Sequence, residues 1–365
     1  MKVPFLELKS AYEELRGEID EAIARSVESG WYVGGPELKQ FEQAFASYTG
    51  ASHTVGVANG LDALHLSLRA MNVGPDDEVI VASNSYIATV LAVTMTGATP
   101  VLVEPDPNTH NLDPSKVEAA ISRRTKVILP THLYGQPADL DRLLALATQH
   151  GLKLLEDAAQ AHGATCNGRR VGAHGHAVAW SFYPSKNLGA LGDAGAVTTN
   201  DGELADRIRT LGNYGSHVRY VNEVQGVNSR LDPLQAAVLN VKLARLDQWN
   251  SRRARIASFY LAELADADLV LPAVPSWASP AWHLFVIQSD DRNALQQRLC
   301  DRGVQTLIHY PIPPHLQQAY AGWGFGPGSF PVAEQLAERV LSLPIGPHMT
   351  DAQVEHVITA VKAAV

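Results

Sequence analysis

Short runs of β-branched and apolar residues alternate with helical stretches between residues 51 and 199. The runs are His53–Val57, Glu78–Val81, Pro100–Val103, Lys126–Leu129, Lys153–Glu156, Ala177–Phe182 and Ala196–Thr199. Between them, Leu61–Met71 and Leu140–His150 carry apolar residues at the spacing of one helix face. This alternation predicts an α/β fold with a mainly parallel sheet that helices cover on both faces.

The remaining residues predict a second, smaller unit. Residues 232–264 have the pattern of one long or broken helical stretch that leads out of the sheet region. Beyond it the pattern predicts a strand at Trp282–Gln288 and a helix at Asn293–Arg302. A loop rich in glycine and proline follows at Gly322–Pro331, and a final helix comes after Asp351. We therefore predict a large domain at residues 1–245 and a small α/β domain at residues 246–365. Met1–Arg16 has the pattern of an amphipathic helix, which could pack on the small domain.

Composition narrows the classes of partner. The 38 acidic and 29 basic residues give a net charge of −9 without a basic cluster, so we expect neither nucleic acid nor a membrane as partner. Cys166 and Cys300 are the only cysteines, which excludes a disulfide framework and a cysteine-rich metal site. The first residues lack the order of a signal peptide, and no apolar run approaches the ~18 residues of a membrane span. We expect a cytoplasmic protein.

Two segments at the ends of predicted strands could hold a ligand. Asn59–Leu64 follows a strand and opens a helix, where Gly60 leaves backbone N–H groups free to bind a phosphate. Glu156 and Asp157 end another strand, and ligands in parallel sheets bind at the carboxyl ends of the strands. A carboxylate at that edge could keep a pyridine nitrogen protonated. Taken separately, each segment could equally be an ordinary turn or a helix cap.

A third segment supplies a possible nucleophile. Ser181–Gly189 follows the next predicted strand and holds Lys186 on a turn that contains proline. A lysine amine attacks a carbonyl only after it loses its proton, and burial or a nearby cation lowers the pKa enough for this. The hydroxyl of Ser181 could bind the same phosphate as Gly60. By itself, Lys186 could also be a surface charge in water.

Together these segments resemble the DegT/DnrJ/StrS sugar aminotransferases over nearly the whole chain. The resemblance is carried by Asn59–Leu64, Glu156–Ala161, Ser181–Lys186 and Asn228–Ala237. It implies the aspartate-aminotransferase-like fold, known as fold type I, with pyridoxal 5′-phosphate (PLP) as cofactor and pyridoxamine phosphate as its intermediate form. It also implies a homodimer that shares its active sites.

The resemblance also implies a role for each matching residue. Lys186 would carry PLP as a Schiff base, Asp157 would pair with the pyridine nitrogen, and Gln160 would approach the phenolic oxygen. The ring would stack on Tyr86. The phosphate would be held by Gly60, Leu61 and Ser181 of one subunit and by Asn228 of its partner. One departure is that serine or threonine often stands where this chain has Asn59 or Leu61.

Finer features resemble the enzymes that aminate C-3 of dTDP-3-keto-6-deoxyhexoses with L-glutamate as donor. They are Tyr183 and the segments Tyr214–Tyr220 and His309–His315. Tyr183, Arg219, His309 and Tyr310 would contact the substrate. Arg219 and Arg230 are candidate cations for its diphosphate, although Arg230 could equally hold its loop in place, and His309 and Tyr310 could equally be packing residues. Two alternatives stay open, a C-4 aminotransferase and a PLP-binding regulatory protein without turnover. A sugar dehydratase of the same family is disfavoured, because that branch has histidine in place of Lys186.

Overall fold

A computed structural model describes residues 1–365. The strands are β1 (His53–Val57), β2 (Glu78–Ala82), β3 (Thr99–Val103), β4 (Thr125–Leu129), β5 (Lys153–Asp157), β6 (Thr165–Cys166), β7 (Arg169–Arg170), β8 (Ala177–Ser181), β9 (Gly195–Thr199), β10 (Ala278–Ser279), β11 (Phe285–Gln288) and β12 (Val340–Leu343). All seven strands predicted between residues 51 and 199 are present, each within one residue of its predicted bounds.

The helices are α1 (Lys9–Glu14), α2 (Arg16–Glu28), α3 (Pro36–Thr49), α4 (Gly60–Ala70), α5 (Ile87–Thr94), α6 (Pro114–Ala120), α7 (Leu140–His150), α8 (Gly202–Gly212), α9 (Pro233–Leu243), α10 (Leu246–Glu263), α11 (Arg292–Asp301), α12 (Pro331–Arg339) and α13 (Asp351–Lys362). Short 3-10 helices lie at Leu133–Gly135, Pro314–Leu316 and Gln318–Trp323. Five α-helices begin at a side chain that accepts a backbone N–H, which fixes the start of each helix; the capping residues are Asn59, Asp113, Asp139, Asp201 and Thr350. No helix is both long and apolar enough to cross a membrane.

The main sheet has seven strands in the order β1-β9-β8-β5-β4-β2-β3. Strands β8, β5, β4, β2 and β3 run parallel, whereas β9 is antiparallel to both of its neighbours. The sheet is therefore mixed and mainly parallel, as predicted. Because β5 and β8 are adjacent and parallel, their carboxyl ends bring Asp157 and the segment after Ser181 to the same edge.

Successive residues of each strand face opposite sides of this sheet. In β5, Leu154 packs in the core beneath α3, α7 and α9, whereas Leu155 packs in the core beneath α4, α5 and α8. The same alternation places Glu156 and Asp157 on opposite faces. Asp157 therefore shares its face with α4 and α5, which begin at Gly60 and directly after Tyr86.

A third hydrophobic core surrounds β11 and β12 and includes α10, α11 and α13. The predicted stretch at residues 232–264 is broken between α9 and α10, at Ala244 and Arg245. The strand and the helix predicted at Trp282–Gln288 and Asn293–Arg302 are present with shorter or slightly shifted bounds. Helix α12 and β12 were not predicted. The division into domains at residues 245 and 246 stays a prediction.

The prediction of a helix over Met1–Arg16 is wrong for the first eight residues. Val3 is buried and extended, its N–H donating to the carbonyl of Gly303 and its carbonyl accepting from Gln305 N–H. The helix begins only at Lys9. Pairing with residues 303–305 satisfies the backbone groups and buries an apolar side chain in the third core, which outweighs the local preference for a helix.

Candidate active site

Asp157 is fixed at the end of β5 by two hydrogen bonds. Its Oδ2 accepts from the hydroxyl of Thr89 on α5 at 2.8 Å, and its Oδ1 accepts from the N–H of Ala159 at 3.2 Å. Asp157 and Thr89 are both buried. These contacts hold one carboxylate in a defined orientation at the edge of the sheet where β5 and β8 end.

The neighbouring acid, Glu156, has a different environment. It lies on the opposite face of the sheet, fully buried, with Oε2 3.0 Å from Nε2 of His132 and Oε1 accepting from Gly175 N–H at 2.5 Å. The other ring nitrogen of His132 accepts a hydrogen bond from Ala138 N–H. The ring proton is therefore on Nε2, which donates a hydrogen bond to Glu156. Both oxygens of the Glu156 carboxylate are therefore bonded within the protein, to His132 and Gly175, and Glu156 is not available to a ligand.

Lys186 lies on the turn that follows β8, where its N–H donates to the carbonyl of Tyr183 at 2.8 Å. Burial lowers the pKa of its amine to about 8, and the negative charge of Asp157 opposes part of that change. A lysine with this pKa has a substantial neutral fraction near pH 8, in contrast to a surface lysine. The structure thus brings the predicted nucleophile and the predicted carboxylate into one site.

Asp157 and Lys186 form one wall of the site, and the N-terminus of α4 forms the second. Helix geometry leaves the N–H groups of Gly60 and Leu61 without intrahelical acceptors, while Asn59 caps the N–H of Asp62 at 2.8 Å. A Cβ added to Gly60 would lie 2.7 Å from Cβ of Ser181, so Ser181 and the start of α4 are in contact. This contact places one hydroxyl beside two free N–H groups at the positive end of a helix dipole, the arrangement that binds phosphate.

Aromatic and amide side chains form the third wall. The amide nitrogen of Gln160 donates to the hydroxyl of Tyr310 at 3.1 Å, and its Oε1 accepts from the N–H of Tyr134 at 2.5 Å. The ring of Tyr310 lies 4.9 Å from that of Tyr86, which is half exposed. The hydroxyl of Tyr134 donates to the carbonyl of His309. These bonds connect the segment after β5 to residues 309 and 310.

Three histidines near Lys186 are held neutral. Burial, reinforced by the charge of Lys186, lowers the pKa of His162 to about 3, lowers that of His309 to about 4, and lowers that of His283 well below its ordinary value. Nδ1 of His309 lies 2.8 Å from the hydroxyl of Ser342. Lys186 is therefore the group in this cluster whose protonation changes near neutral pH.

The other predicted residues lie on loops. Tyr183 is exposed next to the Lys186 turn. Arg219 is exposed, with its guanidinium 4.9 Å from the ring centre of Tyr220. Asn228 is exposed on a segment that pairs with Asn213. Arg230 donates to the side-chain oxygen of Asn213 at 3.1 Å.

The family model described as the DegT/DnrJ/EryC1/StrS aminotransferase family matches residues 13–362. The chain belongs to this aminotransferase family. One relative is the erythromycin biosynthesis sensory transduction protein EryC1 of Saccharopolyspora erythraea, 58% identical over 100% of both chains. Another is the dTDP-3-amino-3,4,6-trideoxy-α-D-glucose transaminase of Streptomyces venezuelae, 55% identical over 99% of this chain and 96% of that one.

A crystal structure of a family member has nearly the same fold. It is Streptomyces venezuelae DesV in complex with a ketimine intermediate, with a TM-score of 0.98, 55% identity, and coverage of 99% of this chain and 98% of that one. Solved structures of other aminotransferases with this fold hold the cofactor in its PLP or pyridoxamine form. The family is PLP-dependent, and the predicted fold and cofactor class are confirmed.

The residues present fit that cofactor. Gly60 leaves a space against Ser181 that a larger side chain would fill, at a helix end suited to the phosphate. Tyr86 offers an exposed aromatic face, Asp157 a fixed carboxylate, and Lys186 an amine with a lowered pKa. The donor set thus matches the phosphate, ring, ring nitrogen and aldehyde of PLP in kind.

Two residues of this site were not found from the sequence. Thr89 lies three residues after Tyr86 inside an apolar helix, where nothing in the pattern distinguishes it from a core threonine. Tyr134 follows β4, and its place at the carboxyl end of a parallel strand was a signal that could have been used. Tyr134 adopts a left-handed backbone conformation with φ 62°, and its N–H donates to Gln160.

Proposed function

We propose that this protein transfers the amino group of L-glutamate to C-3 of a dTDP-3-keto-6-deoxyhexose, giving a dTDP-3-amino sugar and 2-oxoglutarate. The observation that supports it most is the pairing of Lys186, with its pKa lowered to about 8, and Asp157 at one edge of the sheet. The sugar and the position of amination are inferred from the relative in Streptomyces venezuelae and from the segments around Tyr183, Arg219 and His309.

Each cofactor contact follows from the walls of the site. Lys186 would bind the aldehyde, Asp157 the ring nitrogen, Gln160 the phenolic oxygen and Tyr86 the ring face. The phosphate would be bound by the N–H groups of Gly60 and Leu61, by the hydroxyl of Ser181 and by Asn228 of a second subunit. When bound there, PLP supplies an aldehyde that takes up the amino group and a ring that accepts negative charge.

The chain's own residues then move the proton. Lys186 would hold and move the proton at the substrate carbon, as a general acid and base whose pKa burial lowers to about 8. Asp157 would face the ring nitrogen, held in that orientation by the hydrogen bonds from the Thr89 hydroxyl and Ala159 N–H. Neutral His162, His283 and His309 keep further positive charge away from the amine.

The substrate side is open to solvent. Arg219 is exposed and would bind the diphosphate against a net charge of −9. His309 and Tyr310 would line the sugar pocket, with Tyr183 at its rim. The hydrogen bond from Tyr134 holds His309 in place, and the one from Gln160 holds Tyr310 in place.

A homodimer is the smallest complete unit in this proposal. Asn228 is exposed, and in this proposal it completes the phosphate site of a partner subunit. Several large apolar side chains are also exposed in two regions, Trp31–Val33 and the segment with Tyr214, Val218 and Tyr220, and a second copy would cover them. We place this enzyme in the cytoplasm.

A lysine variant tests the cofactor chemistry. Lys186→Ala should lose amino-group transfer and the visible absorbance of lysine-bound PLP, because it removes the buried amine whose charge interacts with that of Asp157. Lys153→Ala, which changes an exposed lysine at the start of β5, should behave like the natural protein. Lys186→Ala protein that still gives this absorbance would contradict the role.

The product tests the rest of the proposal. Protein, PLP and L-glutamate should bleach the visible absorbance, and addition of the 3-keto sugar nucleotide should restore it and form a 3-amino sugar detectable by mass spectrometry and NMR. Nitrogen on C-4 would favour the alternative position of amination. Unchanged absorbance would favour a PLP-binding regulatory protein, a possibility raised by the name of the relative in Saccharopolyspora erythraea.

A further inference from the structure

The residue after Lys186 is at the centre of a buried hydrogen-bond network. Nδ2 of Asn187 donates to the carbonyl of Ala281 at 2.7 Å and to Oδ1 of Asn250 at 2.9 Å, while its Oδ1 lies 3.1 Å from Nδ1 of His283. Nδ2 of Asn250 in turn donates to the carbonyl of His162 at 2.7 Å. Asn187 and His283 are both buried. We call these five residues, with Asn187 at their centre, the Asn187 network.

The network determines which nitrogen of His283 carries the proton. The atom of Asn187 that faces the Ala281 carbonyl must be its nitrogen, since a carbonyl only accepts. The side-chain oxygen of Asn187 therefore faces His283 and accepts a hydrogen bond from its Nδ1–H. Burial, followed by the charges of Lys186, Arg253, His309 and His162, lowers the pKa of His283 well below its ordinary value. The ring is neutral, and its orientation is fixed by one donor.

The network joins three parts of the site. Asn187 follows Lys186, His162 follows Gln160 by two residues, and His283 lies just before β11. The backbone of His283 is also close to that of Gln160, since a Cβ on Gly135 would lie 2.8 Å from His283 N and 2.9 Å from the carbonyl oxygen of Gln160. One side-chain amide thus ties the nucleophile's turn to the segments on either side of it.

We propose that Asn187 and His283 are positioning residues for the Lys186 amine, with Nδ1 of His283 donating to Oδ1 of Asn187 to hold the Lys186 turn in its buried place. The proposal rests on the proposed role of Lys186. A loosened turn would let the amine reach water, so its pKa would rise toward the ordinary value of a lysine. Loss of the donor also leaves the buried oxygen of Asn187 without a partner, which costs free energy and favours movement of the turn.

Two substitutions at position 283 separate a positioning role from a structural one. His283→Leu removes the donor, whereas His283→Asn offers an amide N–H where Nδ1 stood. In enzyme loaded with pyridoxamine phosphate, Lys186 is free, and its pKa is measured from the rate of acetylation against pH, followed at Lys186 by mass spectrometry. H283L should raise this pKa by about one unit and lower kcat about tenfold, with little change in the KM of the donor. H283N should restore both values most of the way.

The outcomes are distinct. An unchanged Lys186 pKa in folded H283L, or H283N as impaired as H283L, would overturn the proposal. If H283L does not fold, a natural Lys186 pKa in H283N still supports the role of the donor, and a raised one contradicts it. Failure of the Lys186 role would show itself differently, as Lys186→Ala protein that keeps its lysine-type absorbance while the variants at position 283 behave normally.

Discussion

The hydroxyl of Thr89 offers a direct test of how Asp157 is held. Thr89 donates to Oδ2 of Asp157 at 2.8 Å, both residues are buried, and the remaining hydrogen bond to the carboxylate comes from Ala159 N–H. Thr89→Val keeps the shape of the side chain and removes the donor. Thr89→Ser keeps the donor and removes a methyl group.

The size of the effect on the rate follows from the free energy of this hydrogen bond. A hydrogen bond to a charged, buried acceptor contributes about 1.5–3 kcal/mol, and about 1.4 kcal/mol corresponds to a factor of ten. If the bond orients Asp157 toward the ring nitrogen in the transition state, kcat/KM of T89V should fall between about 10-fold and 150-fold. T89S should stay close to the natural protein.

The assay follows the glutamate half-reaction by stopped-flow absorbance, with PLP content measured on the same samples. Bound PLP should remain near one per chain in T89V, because Lys186 and the phosphate site are unchanged. T89V that reacts within about twofold of the natural protein would refute the reasoning, since so small a change is below the energy of the bond. Equal losses in T89S and T89V would show that packing, and not the hydroxyl, matters.

Two further predictions concern Gly60, at the start of α4, and Lys242, a buried residue of α9 whose Nζ donates to the carbonyl of Gly189. Gly60→Ala should weaken PLP binding about 10-fold or more in an absorbance titration, because the new methyl would lie 2.7 Å from Cβ of Ser181; Gly74→Ala, with nothing within 4 Å, is its control. Burial lowers the pKa of Lys242 to about 8 from 10.5, so the folded chain binds fewer protons than the unfolded one between those pH values and its unfolding free energy rises there. In urea unfolding, Lys242→Met should lack up to about 3 kcal/mol of this rise, and parallel curves for the two proteins would contradict it.

Much of the fold could be predicted because local pattern and tertiary structure agree in the main sheet. The seven strands of the main sheet are buried runs whose alternate residues fill two different cores, so their hydrophobicity is visible in the sequence. The first eight residues show the opposite case. Their pattern fits a helix, but Val3 pairs with Gly303 and Gln305, three hundred residues away, and no local pattern reports such a partner.

The site was predictable to the extent that its residues follow strands. Asp157 and Lys186 come at the ends of β5 and β8, and the topology of a parallel sheet brings such ends together. What the sequence could not show is which side chains hold them. Thr89 reaches Asp157 from a helix 68 residues earlier, and His283 reaches Asn187 from 96 residues later. Because such supporting bonds depend on how helices and turns pack across the sheet, they appear only in the structure, and their loss should change rates and pKa values more than it changes the fold.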